Sequence, residues 1–460
     1  MLDQDLATSL GAALRGEALT PDDEGYEAAR ALYNGMIDLR PAVIARCADP
    51  ADVIVAVNFG RENRLAVAIR GGGHNGAGFA SVDGGLVIDL SAMRGVRVDP
   101  EARTVRVAGG CTWGDVDHAT HAFGLAVPSG IFSTTGVAGL TLGGGHGYLS
   151  RRHGLTCDNL VEADVVLADG RFVTANAESH PELSWALRGG GGNFGVATSF
   201  VFRGHPATTV FGGPVAFDVA EAGTIMRRYR DWLPTADEDL CVFLGLKSVP
   251  SADPFPREHW GRRICLLMTC HNGPAAAGRA AMAGLFEGLP EPWFDWRSEM
   301  PYPAVQSLFD GVLPSGLQWY WQARLRPRAP RRRDRGAPRR GRPRPERALG
   351  DAPLPDRRRG AASPVRRDRL GLPRRDLVDG DRRDRPRSGE GSRAHGVGAR
   401  LLAGGASFNP GGAYPNFMMD DEAPARLRAT FGANYPRLAA AKRRYDPENF
   451  FRRNHNIPPA

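Results

Sequence analysis

The sequence lacks the long apolar runs that carry a chain through a membrane. No apolar stretch among its 460 residues approaches the ~20 residues that a membrane-spanning helix needs. The start of the chain, residues 1–5, also lacks the basic residues and apolar core of a secretory signal. We therefore expect a cytoplasmic protein with no membrane partner.

Paired cysteines are also missing. The six cysteines are scattered along the chain, and no Cys-x-x-Cys spacing occurs among them. Such spacings are typical of zinc sites and redox dithiols, whereas disulfide frameworks belong to small secreted domains. The sequence therefore predicts reduced thiols packed in the core and no metal site.

One tract lacks most residue types that build a folded core. Residues 324–393 contain no Phe, Tyr, Trp, Ile, Met, Lys, Asn, Gln, Thr or Cys, and Arg, Pro, Gly, Ala and Asp dominate. The tract contains 25 Arg against 10 Asp and Glu, so its charge of +15 accounts for the chain's whole net charge of +8, and it shows no strand or helix period. One interpretation is a basic linker that binds nucleic acid, although it lacks the aromatic residues that single-strand binders use.

A glycine turn stands out near the N-terminus. The apolar run 65–69 predicts a buried strand, and Arg70-Gly71-Gly72-Gly73-His74-Asn75 follows it. Three glycines let the backbone approach a ligand with its N–H groups bare, which suits a pyrophosphate. The spacing also fits the dinucleotide fingerprint, but a second strand at 86–90 follows instead of a helix, so a Rossmann fold is disfavoured. Taken alone, the turn could equally be a solvent-facing loop.

The remaining patterns indicate an α+β protein with small mixed sheets. Strands lie close together in sequence and alternate with short helices. The predicted elements are helical residues 1–40 with an N-cap at Thr20 or Asp22, a strand at 41–46, a helix from Asp49 to about Glu62, a hairpin at 96–98 and 104–107, a helix at 112–123 and a hairpin at 163–167 and 170–173.

Two further glycine clusters follow, at 136–147 and 189–195. One glycine loop is common in any fold, but three in one segment imply backbone lying against an extended ligand from several sides. The alternative is that these glycines serve only contacts between helices and sheets.

Together these segments resemble the berberine-bridge-enzyme-like branch of FAD-linked oxidases with the vanillyl-alcohol-oxidase fold. Residues 70–75, 136–147, 154–160, 187–195 and 445–457 carry the resemblance. It implies an α+β protein with a two-subdomain, PCMH-type FAD-binding domain at 1–205. A substrate domain with an antiparallel β-sheet flanked by helices follows at 206–405, and a tail at 406–460 returns to the FAD-binding domain.

The resemblance implies FAD joined covalently to His74, oxidation of a small organic substrate, and reoxidation by O2 to H2O2. Relatives with a second covalent link carry a cysteine where this chain has Phe132, so a single link is expected. Thr135 stands at a position that controls access of oxygen, and its size favours an oxidase. The implied FAD contacts are Arg70, Gly71, Gly72, Gly73, His74, Asn75, Gly78, Ser129, Gly130, Thr135, Gly136, Gly139, Gly143, Gly144, Gly147, Asp158, Val165, Asn449, Asn454 and Asn456.

A base must take a substrate proton as hydride leaves. Tyr414 matches a tyrosine with this role in relatives, and the alternative is a buried tyrosine that braces the tail. Tyr148 and His146 could assist, and the aromatic run 319–321 lines either the active-site cavity or the core beneath it. The substrate stays open among sugars, amines and alcohols, and so does the oligomeric state.

The resemblance also offers a second interpretation of the Arg-rich tract. Relatives often carry Tyr-Pro-Ile-Asp-Gly and Tyr-Arg-Asp-Ala-Thr-Trp in this region. GC-rich codons for these segments, read out of frame, give the sequences found here at 355–358 and 372–377. We therefore hypothesise a shifted reading frame across 324–405. Such a chain would bind flavin but be catalytically impaired, because its substrate domain would lose several strands.

Overall fold

The computed structural model describes residues 4–320 and 412–460, together with the backbone of one short strand pair, Arg324–Leu325 with Leu377–Val378. The rest of the Arg-rich tract, its hypothesised frame shift and Trp321 lie outside the described residues. Two α+β subdomains, an antiparallel sheet and a C-terminal tail make up the described chain, which confirms the α+β class. Among the described helices, none has the length and apolarity to span a membrane.

The first subdomain is a four-stranded sheet with three helices. Its elements are α1 Gln4–Ala13, β1 Glu17–Leu19, α2 Tyr26–Arg30, β2 Val43–Arg46, α3 Pro50–Glu62, β3 Val67–Arg70 and β4 Leu86–Asp89. The strand order is β1-β2-β4-β3, with β2 and β3 parallel to β4. No helix connects β3 to β4, so the glycine turn after β3 does not open a Rossmann unit. The helix predicted from Asp49 is confirmed, and the Asp49 carboxylate accepts the backbone N–H groups of Ala51 and Asp52.

The helix predicted over residues 1–40 is wrong in extent. Helix α1 ends at Ala13, and the chain then pairs with β2 as the edge strand β1. A Cβ at Gly16 would overlap the carbonyl oxygen of Arg46, so the backbone approaches β2 too closely there for a helix to continue.

The predicted N-cap at Thr20 or Asp22 is also wrong. The backbone N–H of Thr20 donates to the Asp23 carboxylate at 2.6 Å, which closes a local turn. Helix α2 begins only after Gly25, whose φ of 88° is in the left-handed region. The polar residues of this segment therefore make a turn rather than a cap.

The second subdomain is an antiparallel five-stranded sheet in the order β5-β6-β10-β8-β9. Its strands are β5 Val96–Asp99, β6 Thr104–Ala108, β8 Leu160–Val166, β9 Phe172–Ala175 and β10 Val196–Arg203, with β7 Leu125–Ala126 and β11 His205–Pro206 forming a separate pair. Both predicted hairpins are present as β5–β6 and β8–β9. The connecting helices are α4 Trp113–His121, α5 Val137–Leu142, α6 Ser150–His153 and α7 Pro181–Ala186.

The next part of the chain is an antiparallel sheet with helices on one face. Its elements are β12 Thr209–Asp218, α8 Ala222–Trp232, β13 Leu240–Ser248, β14 Arg263–Asn272, α9 Ala275–Phe286, β15 Phe294–Asp295, β16 Ser298–Pro301 and α10 Tyr302–Ser307. Central strand β14 pairs with β13 and β12, and β12 pairs with β15 and β16. One face packs against α8 and α9, and the other carries Met268 and Cys270 toward Tyr148 of the second subdomain.

The C-terminal tail packs into the core of the second subdomain. Its helices are α11 Pro424–Phe431 and α12 Tyr435–Tyr445. Leu427, Leu438 and Ile457 share one buried cluster with Trp113 and Phe200. The tail is therefore part of the core that supports the glycine loops.

Candidate functional site

Two glycine turns from distant parts of the chain meet in direct backbone contact. A Cβ added at Gly72 would lie 2.5 Å from the nitrogen and 2.6 Å from the Cα of Gly136. Conversely, a Cβ at Gly136 would lie 2.7 Å from the Cα of Gly72. Only glycine allows backbones to approach this closely. Gly72 is nevertheless exposed on its remaining side, so this junction offers bare backbone to a ligand.

Neighbouring backbone extends this junction. Gly71 lies near the carbonyl of Gly109, and the carbonyl of Thr135 accepts the N–H of Trp113 at 3.0 Å. Gly73 has a φ of 64°, which turns the chain toward His74. The predicted cluster around residues 70–75 and 136 is therefore one continuous feature.

The imidazole of His74 lies at this junction. Its Nε2 is 3.2 Å from the hydroxyl of Thr134, in the turn that leads to Gly136. One ring face stacks on Tyr33 with centroids 3.6 Å apart. The ring of Phe132 lies 5.9 Å from the same imidazole, measured between centroids. The ring is thus held by an aromatic neighbour and a hydroxyl.

Arg70 fixes the glycine turn from behind. Its buried guanidinium lies 3.8 Å from the carboxylate of Asp89 and donates to the backbone carbonyls of Ala29 and Ala80. Burial lowers the pKa of Arg70, and Asp89 opposes that shift. The Arg70 side chain therefore holds the glycine turn to the N-terminal segment. A contact between Arg70 and the cofactor stays a prediction.

The loop after the turn is held by local packing. The Asn75 side chain accepts the backbone N–H of Phe79 at 3.3 Å. Gly78 has a φ of 73°, and a Cβ there would meet the side chain of Ile37. Phe79 in turn stacks edge-on with His455 of the tail at 4.9 Å. Tail and glycine turn therefore meet around this loop.

The second glycine cluster contacts the start of the tail. The Tyr414 hydroxyl accepts the Gly145 N–H and the Asn416 side-chain N–H, both at 2.9 Å. A Cβ at Gly143 would overlap the Asn416 amide, and one at Gly147 would overlap the carbonyls of Ser129 and Gly130. Gly144, with a φ of 116°, bends the same loop. Gly139 lies on α5 with open space beside it.

Tyr414 is a fully enclosed phenol. Burial raises its pKa to about 12, although hydrogen bonds from Asn416 and Gly145 act in the opposite direction. Among the described residues, none of the groups that shift its pKa is a cation. The hydrogen bonds of Tyr414 to Gly145 and Asn416 are those of a tyrosine that braces the tail, which is the alternative role. The role of Tyr414 as a base stays a prediction.

Tyr148 and His146 lie on the side of this loop that faces strand β13. Both rings contact Phe243 of β13 edge-on, with centroids 5.7 Å and 5.4 Å away. Burial lowers the pKa of His146 to about 4, so its imidazole is neutral near pH 7. A neutral imidazole and a phenol therefore lie between the second glycine cluster and strand β13.

Three other predicted FAD contacts, Ser129, Asp158 and Val165, have side chains that contact other parts of the protein. The Ser129 hydroxyl faces Tyr302 and Gln306 in the domain joint. Asp158 accepts the Leu155 N–H at 2.9 Å as a local cap. Val165 is buried in β8, against Gly195 of the third glycine cluster. For these three residues a cofactor contact stays a prediction.

The tail closes over the third glycine cluster. The Asn193 side chain donates to the carbonyls of Gly190 and His455, and its oxygen accepts the N–H of Ile457 at 3.0 Å. Asn454 donates to the carbonyl of Gly192 at 3.1 Å. This loop is therefore held to the last residues of the chain by side-chain amides.

Three asparagines of the tail, all predicted FAD contacts, have a hydrogen-bond acceptor without a partner among the described residues. The side-chain oxygens of Asn449, Asn454 and Asn456 are buried, and they have no hydrogen-bond partner within the described part of the chain. Buried polar atoms are rarely left unpaired unless a ligand, ion or water satisfies them. Together with the bare Gly72–Gly136 junction, these atoms fit a large polar ligand such as FAD.

Some residues of the site were not predicted from the sequence. Asn34 is fully buried and bridges the glycine turn to the aromatic run 319–321, since it donates to the carbonyls of Gly76 at 2.7 Å and Trp319 at 2.9 Å. Tyr33 stacks between His74 and Trp319. No local pattern marks Tyr33 or Asn34, because their partners are distant in sequence.

The cysteines and Tyr320 of the aromatic run have defined surroundings. All six cysteines are buried and free, as the sequence predicted. In the described ranges no cluster of His, Cys, Asp or Glu is arranged to hold a metal ion. Tyr320, in the aromatic run, donates to the Asp421 carboxylate at 2.6 Å.

Comparison with known proteins identifies both halves of the site. The FAD binding domain family matches residues 41–176, and the berberine and berberine-like family matches residues 413–458. The (R)-6-hydroxynicotine oxidase of Paenarthrobacter nicotinovorans is 40% identical over 193 residues, covering 42% of each chain. An FAD-linked oxidoreductase of Dictyostelium discoideum is 36% identical over 284 residues, covering 61% of this chain and 59% of that protein.

The chain thus spans about half the length of the curated relatives it matches. The solved structure of 6-hydroxy-D-nicotine oxidase from Arthrobacter nicotinovorans superposes with a TM-score of 0.79 at 25% identity, covering 97% of this chain and 98% of that one. The two matched ranges are in contact, since Tyr414 accepts the N–H of Gly145 and His455 packs edge-on against Phe79. The chain therefore carries an FAD-binding domain over residues 41–176 and a berberine-like segment over residues 413–458, and it is similar to the berberine-bridge-enzyme-like branch of the FAD-linked oxidoreductases.

Proposed function

We propose that this protein is an FAD-dependent oxidoreductase that removes hydride from a small organic substrate, an alcohol, sugar or amine. Electrons then pass to O2, giving H2O2. The observation that carries the proposal is the Gly72–Gly136 backbone contact with the His74 imidazole beside it. FAD, when bound, would supply the redox chemistry. The protein's own groups would bind it, orient it and handle the substrate proton.

A covalent link through His74 is part of this proposal. An imidazole nitrogen is a reasonable nucleophile when it is unprotonated. The stack on Tyr33 and the contact with Thr134 hold the ring in one orientation. Phe132 offers no nucleophile at the neighbouring position, which favours one link rather than two.

The proposal is tested on the purified protein. We expect a yellow protein whose flavin absorbance stays with the pellet after acid precipitation. His74→Ala should release its flavin to the supernatant, because the only proposed link is gone. His153→Ala is the control, because His153 lies on α6 and stacks on His205 rather than on Tyr33. This variant should keep its flavin in the pellet. Colourless wild-type protein, or covalent flavin in His74→Ala, would contradict the proposal.

The role of Tyr414 as base predicts a particular pH dependence. Because burial raises its pKa to about 12, only a small fraction is ionised near pH 7, and this fraction grows about tenfold per pH unit. Flavin reduction by substrate should therefore accelerate with pH throughout the alkaline range. Tyr414→Phe should slow it by about 10²–10⁴-fold and abolish that acceleration.

Tyr445→Phe is a matched control for this prediction. Tyr445 is also a buried tyrosine of the tail, and its hydroxyl lies 3.5 Å from a His180 ring nitrogen. Stopped-flow measurement of flavin reduction compares the three proteins. If Tyr414→Phe reduces its flavin as fast as Tyr445→Phe, Tyr414 only braces the tail.

Three finer aspects extend the proposal. The name of the (R)-6-hydroxynicotine oxidase supports including amines among the substrates to be screened. Thr135, whose backbone lies in the Gly136 turn, is proposed to admit oxygen. The cytoplasmic location stays a prediction from the sequence.

A second candidate function is a flavin-binding protein with impaired turnover. The composition break at 324–393 favours it, because a shifted reading frame would remove strands from the substrate domain. Anaerobic mixing with candidate substrates separates the two, since the impaired protein would be yellow but would not bleach. Resequencing the gene tests the frame shift. Reads without compensating insertions or deletions would support an impaired protein, whereas reads that restore aromatic residues in this tract would show an artefact in the sequence and contradict this second candidate.

A further inference from the structure

A buried polar cluster joins α4 of the FAD-binding domain to α10 of the substrate domain. It contains Asp117 on α4, Ser129 on the following loop, and Tyr302 and Gln306 on α10. Asp117 and Tyr302 are each 1% exposed, and Ser129 and Gln306 are fully buried. The proposed reaction uses none of these side chains as an acid, base or nucleophile.

The hydrogen bonds of this cluster leave one acceptor on Asp117 and one on Gln306 without a partner among the described residues. The Gln306 Nε2 donates to Asp117 Oδ2 at 3.3 Å and to the hydroxyl of Ser129. Asp117 Oδ1 and Gln306 Oε1 are both buried and have no hydrogen-bond partner among the described residues. An ionised carboxylate has no donor for the amide oxygen, so each atom would cost about 1–3 kcal/mol.

We propose that Asp117 is a protonated carboxylic acid whose O–H donates to the side-chain oxygen of Gln306. The acid and the amide then form a reciprocal pair, in which Gln306 Nε2 donates to one carboxyl oxygen and the other carboxyl oxygen donates back. This neutral pair locks α4 to α10 across the domain joint. A single proton satisfies both orphaned atoms.

The surroundings of Asp117 agree with a neutral acid. Burial raises its pKa to about 8, against a weaker opposing effect of the Gln306 hydrogen bond. Burial also raises the pKa of Tyr302 on α10 and of Cys270 on β14, so both are neutral. Tyr148, the other phenol near Tyr302, is buried as well.

Helix α4 carries three other titratable groups, Asp115, His118 and His121. Burial tends to raise the pKa of Asp115, but hydrogen bonds from Arg94 and Thr112 outweigh it, so this carboxylate is ionised. His121, one turn after Asp117, lines an open cleft of about 590 Å³ between α4 and β16. His118 is on α4 too, in its last turn.

The pair also positions the loop that is proposed to contact the flavin. Ser129 receives the Gln306 amide hydrogen bond through its side chain, and its carbonyl packs against Gly147 of the second glycine cluster. Asp117 is therefore a positioning residue, and this consequence rests on the proposed function. Ionisation of Asp117 would place a carboxylate against an amide oxygen and loosen that loop.

The sign of the pH effect follows from the raised pKa. The folded protein binds this proton more tightly than the unfolded chain does. The stabilisation is complete below the unfolded value of 3.8 and is lost as the pH rises through about 8. Asp117→Asn keeps a donor toward Gln306 Oε1 and cannot ionise, so it removes this pH dependence.

Infrared spectroscopy tests the protonation directly, without using flavin. Near neutral pH, wild-type protein should show the carbonyl stretch of a protonated carboxylic acid, and this band should vanish as the pH exceeds about 8. Asp117→Asn should lack it, whereas Asp115→Asn on the same helix should retain it. Absence of the band from wild-type protein, or its persistence in Asp117→Asn, overturns the proposal.

Thermal unfolding supplies the second measurement. Asp117→Asn should unfold near the wild-type temperature at about pH 5 and several degrees above it at about pH 9. Parallel curves for the two proteins across this range overturn the proposal. At about pH 9, His74→Ala should release its flavin faster than the double variant His74→Ala with Asp117→Asn. Equal release rates together with a normal infrared band would contradict only the link between Asp117 and the flavin loop.

Discussion

Lys442→Ala is expected to lower the free energy of unfolding by about 3–5 kcal/mol, because it leaves a buried carboxylate without its partner. The Lys442 ammonium is fully buried and lies 2.6 Å from the Asp446 carboxylate. It also donates to the carbonyls of Asn193 at 2.7 Å and Phe451 at 2.9 Å. All three ammonium hydrogens are thus used, and Asp446 in turn accepts the backbone N–H groups of Phe450 and Phe451.

The same substitution should also impair the cofactor site. Asn193 is the residue that holds the third glycine cluster to the chain end, and Lys442 anchors its backbone carbonyl. Loss of this anchor should free residues 189–195 and the tail from each other. We expect a lower flavin content per protein in Lys442→Ala, measured by absorbance after denaturation.

Arg443→Ala is the matched control. Arg443 follows Lys442 on α12, is exposed, and donates to the carbonyl of Ala460 at 2.8 Å. Its loss should change stability by about 0.5 kcal/mol or less. Denaturant titration compares both variants with wild type, and equal midpoints for Lys442→Ala and Arg443→Ala would contradict a structural role for the buried pair. Lys442→Met with Asp446→Asn should lose less than Lys442→Met alone, since no uncompensated charge remains.

Local signals in the sequence predicted much of this fold. The glycine turn at 70–75, the helix capped by Asp49 and the two hairpins depend on residues within a few positions of each other. The same local reasoning failed at residues 1–40, because the backbone of Gly16 packs against Arg46. That contact is between strands and leaves no trace in the helical pattern.

Side-chain direction could not be predicted in the same way. The resemblance implies that Arg70, Ser129 and Asp158 contact FAD, yet their side chains make structural contacts with Asp89, Gln306 and Leu155. The motif predicts where backbone lies near the ligand, but packing against distant elements decides where each side chain points.

The position of the buried Lys442–Asp446 pair could be predicted in part from helical periodicity. Three consecutive basic residues, 442–444, look alike in the sequence. Only Lys442 lies one turn after Leu438 and one turn before Asp446, on the stripe that faces the core. Helical periodicity therefore singles out Lys442, although the periodicity alone gives no reason to expect a fully buried charge there.

Gly72→Ala is expected to abolish flavin incorporation and to destabilise the protein by about 3 kcal/mol or more. The added methyl group would lie 2.5 Å from the backbone nitrogen and 2.6 Å from the Cα of Gly136. Overpacking usually costs about 1–3 kcal/mol when side chains can move aside, but backbone atoms cannot rotate away. The two turns must separate, which displaces His74 from Thr134. Flavin absorbance of the purified protein and its denaturant midpoint measure both effects.

Gly95→Ala is the control for the loss of glycine itself. Gly95 has open space around the position of a Cβ and no left-handed φ, so alanine there should change stability by about 1 kcal/mol or less and leave flavin content unchanged. Gly136→Ala should reproduce the Gly72→Ala phenotype, because its methyl group would meet the Cα of Gly72 at 2.7 Å. The double variant should cost less than the sum of the two single variants, since the turns have to separate only once. Additive effects, or full flavin content in Gly72→Ala, would mean that the two turns do not form one cradle.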